Sequence, residues 1–346
     1  MKTHLRLIGL LAVGTISLVT APVHGAEKSY HFLKEIAVGG DGGWDYLTVD
    51  PDGRRLYVSH GTKVVVIDID KDTVAGEIAD TPGVHGIAIA HDLGKGFSSN
   101  GRENKSSIVD LKTLKTLSKV ETGENPDGML YEPGQHEVYM FNGRGKSATV
   151  IDAKSGKVVA TVELAGKPEF AAADPKANRV YNNLEDKSEL VAIDTKEHKV
   201  VNTWPIAPGE EASGMAIDVA HHRLFLGCGN KLMVMMDSGN GKVVASVPIG
   251  DRVDANAFDP GTGLAFASCG DGTVTIARED SPDKLTVVQT LKTERGARTM
   301  TLDTKTHKIY LASAKYEPLP DPPAGGGRQR PKMIAGSFKV MVYGTE

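Results

Sequence analysis

The sequence is poor in several features that mark common protein classes. It has two cysteines in 346 residues, 5% aromatic residues and no basic excess, since 40 Lys and Arg face 44 Asp and Glu. Two cysteines are too few for a disulfide-stapled scaffold. The formal net charge of −4 argues against a basic surface for nucleic acid or anionic membrane. The remaining composition, 40% hydrophobic and 24% charged, is that of an ordinary globular chain.

Long apolar runs are missing except at the N-terminus. Lys2 and Arg6 flank the start of segment 7–19, "LIGLLAVGTISLV", which is too short to span a bilayer comfortably. Val23 and Gly25 are the small residues expected before a cleavage site. We therefore predict a signal peptide over residues 1–25 and a periplasmic or secreted protein, with an uncleaved anchor as the alternative. Loss of two basic residues would leave 38 against 44 acidic ones, a net charge of −6. We expect no stable membrane insertion.

Seven copies of one unit fill the rest of the chain. Examples are "YLTVDPDGRRLYVS" (46–59), "GMLYEPGQHEVYMF" (128–141) and "ANAFDPGTGLAFAS" (255–268). The equivalent anchor positions are Asp50, Ala90, Glu132, Asp174, Asp218, Asp259 and Asp303. Their spacings of 40, 42, 42, 44, 41 and 44 residues are typical of a β-propeller.

Each of the first six copies carries four strand patterns separated by turn residues, as in "SATVID" followed by "AKSGK" and "VVATVELAG" (147–166). Alternating apolar residues with turn chemistry every 8–12 residues indicate antiparallel sheet. One strand pattern, 30–40, precedes the first copy, and the seventh copy lacks a fourth strand. We therefore predict an all-β fold over residues 26–346: one seven-bladed β-propeller of four-stranded antiparallel blades, closed by the N-terminal strand, which leaves no sheet edge open at the seam.

These units resemble the YVTN-repeat, YncE-like family of exported seven-bladed β-propellers, over essentially the whole mature chain. The first copy, with "DPDGRRLYVSH", matches best, whereas Ala90 and His91 stand where the pattern has Asp-Pro, and Val219 stands in a Pro position. The resemblance implies the fold strongly and the function weakly, because family members are mostly exported proteins of undefined activity and related propellers include lactonases.

The residue just before each first strand is expected at one mouth of the central channel. These register-equivalent residues, with the neighbouring Trp44, form the candidate rim: Trp44, Asp45, His85, Asp127, Glu169, Ser213, Asp254 and Arg298. Carboxylates from different blades would suit Ca²⁺, and His85 extends the choice to Zn²⁺ or Mn²⁺. The candidate metal ligands are Asp127, Glu169, His85 and Asp254. The competing interpretation is that these acids only cap local turns.

Other positions received simpler interpretations. The long segment 316–337 between the last blade's second and third strands is either a solvated loop or a flap over the channel mouth, with Arg328, Arg330 and Lys332 adding positive charge. Cys228 and Cys269 hold equivalent positions in neighbouring blades, too far apart for a disulfide, so we predict free buried thiols. Five histidines, His91, His136, His221, His222 and His307, are interpreted as solvated turn residues on the opposite face.

The fold alone does not decide the function. The first hypothesis is a non-enzymatic exported binding or scaffold protein that presents the rim to a small molecule or protein partner. The alternative is a metal-dependent hydrolase of the lactonase type that uses the rim carboxylates. No G-x-S-x-G motif is present, and no catalytic residue can be assigned. No cofactor other than a divalent cation is indicated, nucleic acid is disfavoured, and we expect a monomer.

Overall fold

A computed structural model describes residues 29–318 and 332–346. Within them the chain is all-β and forms seven four-stranded sheets from strands β1 to β28, with two single 3-10 turns at His91–Leu93 and Glu185–Lys187. Every pair of neighbouring strands within a sheet is antiparallel. The predicted seven-bladed propeller is thus confirmed.

The strands of the first three blades follow one another directly along the chain. Blade 1 contains β2 (Leu47–Asp50), β3 (Arg55–His60), β4 (Lys63–Asp68) and β5 (Thr73–Ile78). Blade 2 contains β6 (Val84–Ala90), β7 (Lys95–Asn100), β8 (Lys105–Asp110) and β9 (Lys115–Glu121). Blade 3 contains β10 (Pro126–Glu132), β11 (Glu137–Asn142), β12 (Ser147–Asp152) and β13 (Lys157–Glu163).

The next three blades repeat this order. Blade 4 contains β14 (Pro168–Asp174), β15 (Arg179–Leu184), β16 (Glu189–Asp194) and β17 (Lys199–Pro205). Blade 5 contains β18 (Ala212–Asp218), β19 (Arg223–Cys228), β20 (Leu232–Asp237) and β21 (Val243–Pro248). Blade 6 contains β22 (Val253–Asp259), β23 (Leu264–Cys269), β24 (Thr273–Ser281) and β25 (Lys284–Lys292).

The last blade joins the two ends of the chain. It contains β26 (Met300–Asp303), β27 (Lys308–Ser313), β28 (Lys339–Gly344) and, at its outer edge, β1 (His31–Ala37). β1 pairs with β28 from His31–Gly344 to Ala37–Lys339. The predicted closure by the N-terminal strand is therefore confirmed, and the outer edge of β28 is paired rather than open.

In the described part of the chain, the apolar core consists of seven clusters, one at each interface between neighbouring blades. The aromatic residue of each second strand is buried in them: Tyr57, Phe97, Tyr139, Tyr181, Phe225, Phe266 and Tyr310. Because each cluster takes side chains from two blades, no blade completes its core without its neighbours. The first strands contact one another around the whole ring and therefore line the central channel.

Of the smaller predictions, one is confirmed and others concern residues that the structure does not describe. Cys228 and Cys269 are free and buried, as predicted. The predicted signal peptide, and Arg328 and Arg330 of the predicted flap, lie outside the described residues. Among the described residues, no helix has the length and apolar character needed to cross a membrane.

Candidate functional site

A β-bulge near the start of the first strand places each rim residue of blades 2 to 6. In β10, for example, the register with β11 shifts between Pro126 and Met129, so Asp127 and Gly128 have no ladder partner. Bulges at equivalent places contain His85, Glu169, Ser213 and Asp254. A bulge interrupts the alternation of side chains and can redirect one of them.

In blade 3, the glycine that follows the rim residue Asp127 allows the first strands of blades 3 and 4 to approach closely. A Cβ on Gly128 would lie 2.7 Å from the backbone oxygen of Glu169 in the next blade, a distance that Cβ atoms do not adopt. This close approach brings the rim residues of blades 3 and 4 side by side.

Most of the candidate rim converges on one cavity of about 210 Å³. Of the eight residues of the candidate rim, six line this cavity: Asp45, Asp127, Glu169, Ser213, Asp254 and Arg298. His85 reaches the same group through its neighbours, because its Nδ1 lies 2.8 Å from Asp45 Oδ2 and 3.2 Å from Asp127 Oδ1. Trp44 lines a different cavity.

Sequence reasoning missed four residues of this cavity. Tyr46 and Phe170 pack with ring centroids 4.5 Å apart, and Lys167 and Glu185 complete the lining. Glu185 follows a second strand and Lys167 precedes a first strand, so the rule that these connections share one face could have identified both. Nothing in the sequence pattern marks the burial of the Tyr46 hydroxyl, which has no hydrogen-bond partner among the described residues.

The cavity holds more negative than positive groups. Five carboxylates line it, against the two permanent cations Lys167 and Arg298. Lys167 forms ion pairs with both Glu169 and Glu185, so its charge is shared. Arg298 lies 3.3 Å from Asp254 and is half exposed. The lining therefore carries more acidic than basic groups.

Three of these acids have strongly raised pKa values. Burial, with the charge of Asp45, raises the pKa of Asp127 to about 6 although His85 opposes the shift. Burial and then Asp127 raise the pKa of Glu169 to about 8, against the opposing effect of Lys167. Burial raises the pKa of Asp254 to about 7, with Arg298 opposing and Asp45 adding to the shift. The side chains of all three are at least 85% buried, which explains why desolvation dominates.

The neighbouring acids stabilise the charged form of His85. Burial lowers its pKa, but the hydrogen bond to Asp45 and the charges of Asp127 and Asp45 outweigh burial, so the pKa is raised above its usual value. A proton can therefore be held at His85 or at one of the acids near neutral pH, which is the behaviour that acid–base or cation-binding sites use.

The residues that lie close enough to share a metal ion are not the same set that the sequence predicted. Asp45, His85 and Asp127 each offer one ligand atom, and these atoms lie within 4.8 Å of one another. Glu169 and Asp254, which the sequence placed in the candidate metal set, line the same cavity but are engaged by Lys167 and Arg298.

Trp44 lines a second, adjoining cavity of about 420 Å³. Arg298 borders both cavities, and Arg252 and Tyr316 complete the polar and aromatic lining of the second. Trp44 packs on Phe338 at 4.9 Å and on Tyr316 at 6.4 Å between ring centroids. The described start of segment 316–337 thus borders this second cavity through Tyr316, whereas Lys332 is exposed and its Nζ lies 4.0 Å from Glu317.

Comparisons with known proteins give the fold and no more. No protein-family model matches this chain, and no curated protein matches its sequence. The structure is similar to Kuenenia stuttgartiensis hydrazine synthase, with a TM-score of 0.68 and 17% identity over 84% of this chain and 96% of that one. It is also similar to U3-55K, with a TM-score of 0.72 and 11% identity over 89% of this chain and 97% of that one. At such identities the likeness establishes a seven-bladed β-propeller of undetermined family.

Proposed function

We propose that this chain is an exported β-propeller that binds a small ligand carrying positive charge or several hydrogen-bond donors at its acidic cavity. The observation that carries the proposal is the set of five carboxylates facing two permanent cations around about 210 Å³. A buried charge without a partner destabilises the folded state by several kcal/mol, which is comparable with the whole free energy of unfolding of a domain. A ligand that supplies donors or positive charge would offset that cost.

Two buried oxygens support this ligand chemistry. Asp254 Oδ2 and the Tyr46 hydroxyl have no hydrogen-bond partner among the described residues. Each is available to accept a hydrogen bond from a ligand. The adjoining cavity, with Trp44 and Tyr316, offers an aromatic surface for the rest of a longer ligand.

Export and family membership are part of the same proposal. Lys2, Arg6 and the apolar run 7–19 support cleavage after Gly25 and a periplasmic or secreted protein over residues 26–346, which we expect to be a monomer. The repeat "DPDGRRLYVSH" supports placement in the YVTN-repeat, YncE-like family. A mass of the exported protein that begins at Ala26 would support the cleavage, and an intact N-terminus would contradict it.

A thermal-shift panel tests the binding function. The probes are putrescine, spermidine, arginine, glucose and gluconolactone, each at pH 8 and at pH 5. We expect a cationic probe to raise the Tm of the mature protein at pH 8, and to do so less at pH 5, which lies below the raised pKa values of Asp127, Glu169 and Asp254. Asp127→Asn and Glu169→Gln should abolish the shift, whereas Glu163→Gln, on the exposed face of β13, should keep it. Equal shifts in all variants would contradict the proposal.

The second candidate function is a metal-dependent hydrolase of the lactonase type. The closeness of Asp45, His85 and Asp127 favours it, since two carboxylates and one imidazole suit Zn²⁺ or Mn²⁺ better than Ca²⁺. A cation there would polarise a carbonyl or activate a water molecule. A panel of lactones and esters, assayed with each metal and with chelator, tests this; absence of chelator-sensitive turnover would exclude it.

A further inference from the structure

The face opposite the rim carries a second set of buried acids, the anchors at the ends of the first strands. The anchors of blades 1, 4, 5, 6 and 7 are aspartates that are at most 5% exposed. Each accepts hydrogen bonds from backbone N–H groups of its own turn, as Asp174 does from Lys176 and Ala177. Except in blade 5, a second partner comes from a neighbouring blade.

In four blades that second partner is a histidine or arginine from the next blade. The pairs are Asp50 with His91 at 2.9 Å, Asp174 with His222 at 3.6 Å, Asp259 with His307 at 2.6 Å and Asp303 with Arg54 at 2.8 Å. The interpretation of these histidines as solvated turn residues is therefore incomplete, because their rings are partly exposed but their nitrogens contact buried carboxylates across the blade interface.

Blade 5 breaks this pattern. Arg54, His222 and His307 each lie four residues after their own anchor, but in blade 6 that position is Gly263. Blade 6 instead brings the carboxylate of Glu279, from β24, to Asp218. Among the residues that the structure describes, the imidazole beside Asp218 is that of His221, which follows it in the same turn.

Glu279 is buried without a hydrogen-bond donor. Its side chain is 3% exposed, and neither carboxylate oxygen has a hydrogen-bond partner among the described residues. Asp218 faces it with a second carboxylate, and His221 and Arg223 lie near enough to interact with it electrostatically. Arg223 is held by Asp237 at 3.0 Å and Asp283 at 3.1 Å. An acid buried against a second acid calls for a positive ligand between them.

We infer that Asp218, His221 and Glu279 form a site for a divalent transition-metal cation, with Zn²⁺ and Mn²⁺ as the best matches. One ligand atom from each residue lies within 4.8 Å of the other two. His221 Nδ1 is 2.6 Å from Asp218 Oδ2 and 3.4 Å from Glu279 Oε1. Ligand atoms around a tetrahedral ion at about 2.0 Å are roughly 3.3 Å apart, so small side-chain movements suffice.

The mixture of ligands selects the kind of ion. Two carboxylates and an imidazole suit Zn²⁺ and Mn²⁺, whereas Ca²⁺ prefers oxygen ligands alone. His221 is 54% exposed, so the site opens to solvent and leaves room for a water ligand. Because Asp218 and His221 belong to blade 5 and Glu279 to blade 6, the ion links two blades on the face away from the rim.

Metal titration of the mature protein tests this site. The protein is stripped with EDTA, dialysed at pH 7.5 and titrated by calorimetry with ZnCl₂, MnCl₂ or CaCl₂ alone. We expect Zn²⁺ or Mn²⁺ to bind, Ca²⁺ to bind at least tenfold more weakly, and Glu279→Gln and His221→Ala each to weaken Zn²⁺ or Mn²⁺ binding at least tenfold. Both variants should fold, since the first removes a buried charge and the second alters an exposed turn side chain.

Two variants separate this site from others. His222→Ala changes the neighbouring, similarly exposed turn histidine and should leave Zn²⁺ or Mn²⁺ binding unchanged. Should the rim also bind metal, Asp127→Asn would remove one equivalent and Glu279→Gln the other. The inference is overturned if neither Zn²⁺ nor Mn²⁺ binds, or if Glu279→Gln and His221→Ala bind as the wild type does.

Discussion

Asp127→Asn should stabilise the protein at alkaline pH and change little at acid pH. The substitution keeps the size and hydrogen-bonding capacity of a side chain that is 15% exposed, and removes its charge. His85 keeps a carboxylate partner in Asp45, at 2.8 Å. The main effect is therefore the loss of one buried negative charge from a cavity that has an excess of them.

The magnitude follows from the pKa of Asp127, which rises from 3.8 in a model carboxyl to about 6 in the folded protein. At 1.36 kcal/mol per unit, the ionised form costs about 3 kcal/mol of the free energy of unfolding. A raised acid pKa means that the folded state binds more protons than the unfolded state between about pH 4 and pH 6. The cost is therefore absent below pH 4, grows across that window and is complete above pH 6.

Urea unfolding of the mature wild type and the variant at pH 4, 6 and 8 measures this cost. We expect the variant to gain about 2–3 kcal/mol over the wild type at pH 8 and less than about 0.5 kcal/mol at pH 4. Glu163→Gln serves as the control for removal of an exposed charge and should change neither value. Two results would refute the claim that ionised Asp127 destabilises the folded state. One is a difference in the free energy of unfolding between variant and wild type that is the same at every pH, and the other is a variant that is less stable than the wild type at pH 8.

Three further predictions concern the ring itself. Ile36→Ala, in the closing strand β1, should cost about 2–4 kcal/mol in urea unfolding, because Ile36 is 2% exposed in the core between blades 7 and 1; a cost below about 0.5 kcal/mol would count against closure by this strand. Gly128→Ala should cost about 1–3 kcal/mol, because its Cβ meets the backbone oxygen of Glu169, and unchanged stability would mean that the inner strands are less closely packed. Cys228 and Cys269, whose pKa burial raises to about 12, should react with a thiol reagent only after unfolding, and fast reaction of the native protein would show that they are exposed.

The repeat made the fold predictable from the sequence. Regular spacing of the anchors from Asp50 to Asp303 identified seven units, and the unmatched strand pattern 30–40 indicated how the ring closes. Alternation of apolar residues sets strand type and register locally, so these features need no knowledge of distant contacts. The observed strands differ from the predicted ones by a few residues at their ends.

The sequence predicted which equivalent positions of the repeat contribute to the site, but it did not predict the directions of their side chains. Register equivalence brought Asp127 and Glu169 into one set, but the direction of each side chain depends on the bulges in the first strands, which no residue pattern specified. Tyr46 lines the cavity with its ring packed on Phe170 of blade 4 and its hydroxyl buried, and its position in the sequence indicates neither contact. Glu279 shows the same limit, since only the packing of blade 6 against blade 5 places its carboxylate beside Asp218.

The central claim is that acids from different blades form one buried, mutually coupled group. Carbon-13 NMR titration of the Glu side-chain carboxyls in the mature protein tests it most directly, with the Glu169 signal assigned by its loss in Glu169→Gln. The account predicts a midpoint for Glu169 above pH 6, in line with its raised pKa, and a fall of at least one unit in Asp127→Asn. A midpoint below pH 5 that does not change in Asp127→Asn would contradict it.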